Sequence, residues 1–213
     1  LADKTNLFPD RGYNSHKQLI KNRRSISAVF KGESAMAIPV RRIVTGHDSQ
    51  GKSVFLEDGS ATNIMAPPSL AGLALTDLWE SKGTPANNTG TADAADRPFK
   101  LEPPKNGTVI RVVEFPPDTV LAKSGDIAKI FEEIGSADAK DKNNPRHPGF
   151  HKTRSLDYAI VIEGEIFAMM DEGEKLMKPG DILIQRGTNH AWSNRTNVPA
   201  RICFVLIDAE PLI

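Results

Sequence analysis

The chain has a single cysteine among 213 residues. No intramolecular disulfide can form, and such sparse cysteine fits a reducing compartment, so the expected location is cytoplasmic. Net charge is missing too: 27 Lys and Arg stand against 27 Asp and Glu. No global field therefore attracts nucleic acid or an anionic membrane surface. No apolar run approaches the roughly 20 residues that a spanning helix needs. Internal repeats, coiled-coil heptads and phosphate-binding glycine loops are absent as well. These exclusions leave a globular chain acting on a small molecule, with no nucleic acid and no membrane as partner. The length suits one domain, or one domain with an extension, and can bury a substantial core. Many short strands with turns every 8–12 residues point to an all-β barrel or sandwich. Cys203 lies in the apolar run 201–206 and reads as a buried, inert thiol rather than a reactive one.

The chemistry concentrates in residues 147–194. Strand side chains alternate between faces, so His151, Thr153, Ser155 and Asp157 share one face if the segment stays extended. Glu163 and Gly164 make one turn; Pro179, Gly180 and Asp181 make another. Ile182, Leu183 and Ile184 read as a strand that leads through Gly187 to His190, which shares a face with Trp192. His151, Asp157 and His190 are thereby placed to meet. Two imidazoles and one carboxylate form a set that holds Fe(II), Mn(II), Zn(II) or Ni(II) and leaves positions open.

This stretch resembles the two motifs of the cupin superfamily. In the first motif His151 matches the first histidine, Thr153 stands at the second, Asp157 stands at the glutamate, and Gly164 follows six residues later. In the second, Gly180 opens, Gln185 replaces the proline after four residues instead of five, and Gly187, His190 and Asn194 fall at the usual intervals. The wording of residues 185–194 and 205–210 resembles a subgroup of single-domain, RmlC-like cupins in fungi and bacteria. The resemblance implies an all-β fold, a cupin-type jelly-roll β-barrel with one short helix and an N-terminal arm, its site in the lumen near the mouth. It also implies pairing of two copies through an edge strand, which would protect that edge in a homodimer. Two of four usual ligand positions are changed, at Thr153 and Asp157. Aspartate is shorter than glutamate by one methylene, and a threonine replaces an imidazole poorly.

Residues 1–35 carry seven Lys and Arg against three Asp and Glu. They read as an N-terminal arm packing on the barrel or a partner subunit, in preference to an organelle-targeting presequence. His16 in this arm is read as solvated. Met36 is a candidate start in relatives, which makes residues 1–35 an extension and 36–213 a single barrel. Residues 41–46 and 52–57 read as a hairpin around residues 47–51. Residues 70–79 fit a strand, and 81–98 a mobile surface loop. Residues 107–115 fit a strand in which Arg111, if it faces the lumen, binds a substrate carboxylate; an outward, solvated Arg111 is the equal alternative. Residues 126–134 form the one helix, capped by Ser124 or Asp126 and ended by Gly135. With the polar segment after it, this helix reads as a flap over the barrel mouth or as a plain connector. His147 lines the entrance, hydrogen-bonds its loop, or swings in for the ligand missing at Thr153. Gln185 and Trp192 are further candidates for the pocket wall, and Asn194 and Gly187 shape the turn.

Three functions fit these residues. One is a metal-dependent cupin enzyme that oxygenates, isomerises or decarboxylates a small organic molecule. Another is a metal-free barrel in which Asp157, its pKa raised by an apolar lumen, and His190 form an acid–base pair for an isomerase, cyclase or dehydratase. The third is a binding or structural barrel without turnover.

Overall fold

The runs of alternating apolar residues form eleven strands in a computed structural model that describes residues 37–124, 127–141 and 143–210. The arm assigned to residues 1–35, with His16, lies outside the described residues. Strands β1 (Arg41–His47) and β2 (Ser53–Ser60) make the hairpin expected around residues 47–51. Strands β3 (Asn63–Met65), β4 (Ala74–Ser81), β5 (Thr108–Phe115), β6 (Ser155–Glu163), β9 (Ile182–Arg186) and β11 (Ala200–Asp208) form one antiparallel sheet in the order β3-β4-β5-β11-β6-β9. Strands β7 (Ile166–Met170), β8 (Glu174–Met177) and β10 (His190–Ser193) form another, in the order β10-β7-β8. The two sheets fit a jelly roll, as the motif resemblance implied.

Alternation sets the register. Along β11, Ala200, Ile202, Phe204 and Leu206 are buried while Arg201, Cys203, Val205 and Ile207 are half-buried on the outer side. A slip of one residue would turn the apolar set outward, so the pairing is strongly specified. In this register Phe204 lies opposite Arg111 on β5 and Ala159 on β6, and Leu206 lies opposite Val109 and Asp157. The core gathers around Val109, Val161, Ile166 and Ile202, which are essentially inaccessible to solvent. Each contributes roughly 1.5–3 kcal/mol by its burial.

Helical structure departs from the expected single helix. Two short helices, α1 (Asp118–Ser124) and α2 (Ile127–Glu133), and a 3-10 turn (Ala137–Ala139) separate β5 from β6. The α2 segment is the expected one, and Gly135 with φ 69° ends it, the Ser136 N–H reaching the Phe131 carbonyl at 2.7 Å. Helix α1 follows from the prolines that end β5. The Pro117 carbonyl accepts from the Val120 N–H at 2.8 Å, and Asp118 places a negative charge in the first turn.

The polar segment 81–98, expected to be mobile, is tied to the sheets by charge. Asp93 accepts a two-point bond from Arg42 of β1, and Arg97 binds Asp77 and Glu80 of β4. Among the described residues no helix is long and apolar enough to cross a membrane.

Candidate functional site

A cavity of about 160 Å³ opens between the sheets. His151, Thr153, Ser155 and Asp157 all line it, as their even spacing predicts, and so do His190 and Trp192. Leu75, Val113 and Phe204 supply apolar wall from the large sheet, and Ile127, Ile130 and Phe131 from α2. The helix is thus a wall of the cavity and not a remote connector. Its Phe131 ring lies 5.3 Å from the His151 ring. The spacing of residues 127, 130, 131 and 134 announced an apolar face, but nothing in it named His151 as the contact.

His151 and His190 are joined through backbone and side chain. Each N–H donates to the other's carbonyl at 2.9 Å, an isolated bridge that lengthens the small sheet beyond β10. The imidazole centroids are 4.3 Å apart. Nδ1 of His151 is 2.9 Å from the Gly149 carbonyl, and Nδ1 of His190 is 3.0 Å from the Thr188 carbonyl. A carbonyl only accepts, so both Nδ1 atoms carry the proton and both Nε2 atoms keep a lone pair. Neither Nε2 has a hydrogen bond among the described residues. Burial lowers the basicity of His151, against its bond to Gly149. Burial and then the neighbouring His151 bring His190 down to about 3, against its bond to Thr188. Two neutral rings, oriented by carbonyls through the far nitrogen, have the form of metal-ligating histidines.

The expected convergence of three donors is incomplete. Among the described residues no three His, Cys, Asp or Glu side chains are grouped closely enough to hold a metal ion. The reason is topological. His151 is bridged to the small sheet, whereas Asp157 pairs with Gln185 and Leu206 inside the large one. Packed sheets stand about 10 Å apart. Asp157 is buried, its Oδ1 has no hydrogen-bond partner, and burial raises its carboxyl to about 6 against the Ser155 hydroxyl and the Arg111 charge. Neither His151 nor Thr153 donates to it. Instead Thr153 accepts from the Ser155 hydroxyl at 3.0 Å. Two imidazoles are thus the donors that would hold a metal, and a buried carboxyl with one unpaired oxygen lines the same cavity.

Two other candidates, Arg111 and Gln185, are corrected. Arg111 does face inward, but its donors are taken. It bonds Asp77 Oδ1 at 2.5 Å and Oδ2 at 3.1 Å, the Lys100 carbonyl at 2.6 Å and the Leu101 carbonyl at 3.0 Å. Four of the roughly five guanidinium N–H groups are thus engaged, and the expected substrate-carboxylate clamp is a structural ion pair. Gln185 is buried outside the cavity lining. Its Nε2 donates to the Thr188 carbonyl and hydroxyl, fixing the turn before His190. His147 lines the cavity and accepts the Gly149 N–H at 3.1 Å, with Nε2 3.8 Å from Asp118 Oδ1. It does not replace the ligand missing at Thr153. Trp192 is both core and wall, 7% exposed and packed edge-on against Phe204. Asn194 shapes the following turn by donating to the Phe115 and Val198 carbonyls. Burial raises the Cys203 thiol, as an inert cysteine requires. Asp118 is a cavity residue that sequence reasoning did not single out.

No family model matches the chain. Among curated proteins it is similar to cupin-domain-containing oxidoreductase fogC of Aspergillus ruber, 31% identical over 178 residues that cover 80% of this chain and 73% of that one. It is similar also to cupin-domain-containing oxidoreductase virC of Hypocrea virens, 30% identical over 179 residues, 81% of this chain and 77% of that one. A solved structure of a Cupin 2 conserved barrel domain protein from Salinispora arenicola aligns at 13% identity and a TM-score of 0.35, over 64% of this chain and 76% of that one.

Proposed function

Because the chain belongs to the cupin superfamily, we propose that its inter-sheet cavity is the active site of a metal-dependent oxidoreductase acting on a small organic molecule. The protein is a cupin-type enzyme, and oxidoreductase is the word its relatives' names carry. The observation that supports a metal is the imidazole pair, with rings 4.3 Å apart and Nδ1 atoms fixed to carbonyls. His151 and His190 would hold the ion through Nε2. A divalent iron, manganese, zinc or nickel ion, when bound, supplies Lewis acidity, and iron or manganese adds one-electron chemistry. The Gly149 and Thr188 carbonyls keep both rings aimed. Asp157, outside the pair, holds or moves a proton, since a carboxyl raised to about 6 exchanges its proton near neutral pH. Ile130 and Phe131 give the cavity an apolar wall beside the imidazoles.

The absence of a three-donor group among the described residues favours a second reading, in which Asp157 works as acid or base without a metal. One experiment separates the two. Metal content is measured on purified wild type and on the His151→Ala and His190→Ala variants, each after reloading with Fe(II), Mn(II), Zn(II) or Ni(II). Near-stoichiometric metal in wild type and loss in both variants is the expected result. A folded wild type that takes up none of the four ions would sink the metal reading and leave Asp157 as the centre of the chemistry.

A further inference from the structure

Resting on the reading of the cavity as the active site, we infer that this cavity, before any metal is bound, selects an uncharged molecule with an apolar, benzene-sized ring body and one polar end. Size is the first argument. The cavity of about 160 Å³ compares with the about 150 Å³ that accommodates a benzene ring when the walls are aliphatic and aromatic. Its walls are of that kind: Leu73, Leu75, Val113, Ile130, Phe131 and Phe204. Such a space is poorly suited to a sugar, whose many hydroxyls would each lack a partner at a cost of a few kcal/mol.

Polarity is the second argument. Apart from Arg111 and the mouth residues His147 and Asp118, polar lining comes from the extended segment 151–157 and from His190 bridged to it. A ligand is therefore met by hydrogen-bonding groups on the 151–157 segment and His190, and by hydrocarbon elsewhere. That arrangement orients a phenol with its hydroxyl donating toward an imidazole Nε2. Phe131, 5.3 Å from His151, would cover the ring of the bound molecule.

Charge is the third argument. The fixed cation on the lining is Arg111, and Asp77 neutralises it through a two-point bond. Without a bound metal, an anionic ligand would enter an apolar cavity that already holds the Asp157 carboxyl and would find no free counter-charge on the lining. Burying an unpaired charge is strongly unfavourable. In the metal-free cavity carboxylates and phosphates are disfavoured on this ground, and neutral ring compounds are accepted.

The test uses the full chain, metal-free and chelator-washed, titrated with 4-methylphenol and with benzoate by calorimetry. Saturable binding of 4-methylphenol is expected, with benzoate at least tenfold weaker. Nuclear Overhauser contacts should run from the 4-methylphenol methyl group to the Phe131 ring. Ile130→Trp, which fills the cavity, should abolish binding, and Leu73→Phe serves if that variant does not fold. Benzoate binding as tight as 4-methylphenol, no saturable binding of 4-methylphenol, or equal binding in wild type and the filled variant would each overturn the inference. Metal uptake is scored separately. Metal without 4-methylphenol binding sinks the substrate class alone, and 4-methylphenol binding without metal uptake sinks the metal reading alone.

Discussion

His151 and His190 hold each other in place twice, by a reciprocal pair of backbone bonds at 2.9 Å and by imidazoles 4.3 Å apart. Two protonated rings at that distance in a buried site would repel, so the pair is stable only as neutral imidazoles. Nitrogen-resolved NMR of the metal-free protein should find both rings as the Nδ1–H tautomer. His190, brought down to about 3, should stay neutral throughout pH 4.5–8, roughly two units below where a free histidine charges. Protonation of His190 near pH 6.5 would show that the ring is solvated and the paired site is not formed.

Asp157 and His190 act on stability in opposite directions. The Asp157 carboxyl is raised from 3.8 to about 6. Between those values the folded state keeps a proton that the unfolded chain has lost, so this contribution is present below pH 3.8 and disappears as pH rises through 6. His190 is lowered from 6.5 to about 3. The unfolded chain gains a proton first as pH falls, so this contribution is present above 6.5 and is lost on acidification. Over pH 4–6 the two slopes oppose each other, and wild-type stability should vary little on their account. Asp157→Asn removes the carboxyl's share. The difference in unfolding free energy, variant minus wild type, should rise by roughly 1–3 kcal/mol from pH 4 to 6 in urea titrations of metal-free protein. Parallel profiles would mean that Asp157 titrates as an ordinary carboxylate.

How far the sequence could be read follows from which constraints are local. Alternation placed His151, Thr153, Ser155 and Asp157 in the lining of one cavity, and glycine chemistry placed the turns at Gly164 and Gly180, both with positive φ. What alternation cannot show is which sheet a strand joins. His151 went to the small sheet and Asp157 to the large one, so a shared face did not become a shared point. Arg111 was legible as an inward residue only as one of two equal options. Its partner Asp77 lies 34 residues away, and no local pattern links them. Helix α1 was not legible because the paired prolines that end β5 also open the helix.

Gly164 is constrained by its conformation and by its neighbours. Its φ is 73°, and a Cβ there would lie 2.7 Å from the Pro199 carbonyl oxygen and 2.9 Å from the Ala200 Cα. Backbone atoms cannot yield as a flexible side chain would. Gly164→Ala should therefore cost about 2 kcal/mol or more, combining left-handed strain with displacement of the 199–200 backbone. Gly173 is the control. It has φ 82° but open space around a Cβ, so Gly173→Ala should cost only about 1 kcal/mol. Equal losses in thermal or urea unfolding would show that the turn relaxes around the methyl group and that the close approach does not matter.

Asp77 and Arg111 should respond unequally to truncation. Asp77 is fully buried and accepts from two guanidinium groups, Arg111 at 2.5 and 3.1 Å and Arg97 at 2.8 Å. Arg111 has Asp77 as its carboxylate partner, while Arg97 also binds Glu80. Asp77→Ala leaves the buried Arg111 charge unpaired and should cost about 3–5 kcal/mol. Arg111→Met leaves Asp77 bonded to Arg97 and keeps the aliphatic stem, so it should cost less, roughly 1–3 kcal/mol. The double variant Asp77→Leu with Arg111→Met should be less destabilised than the sum of the single changes, since it leaves neither of these two charges alone. Urea unfolding of the full set checks this. If Arg111→Met costs as much as Asp77→Ala, Arg97 does not sustain the buried carboxylate, and the two arginines act as one indivisible unit. Arg111→Met should also leave benzoate as the weaker ligand, because removing a cation whose charge is already neutralised takes no anion site away.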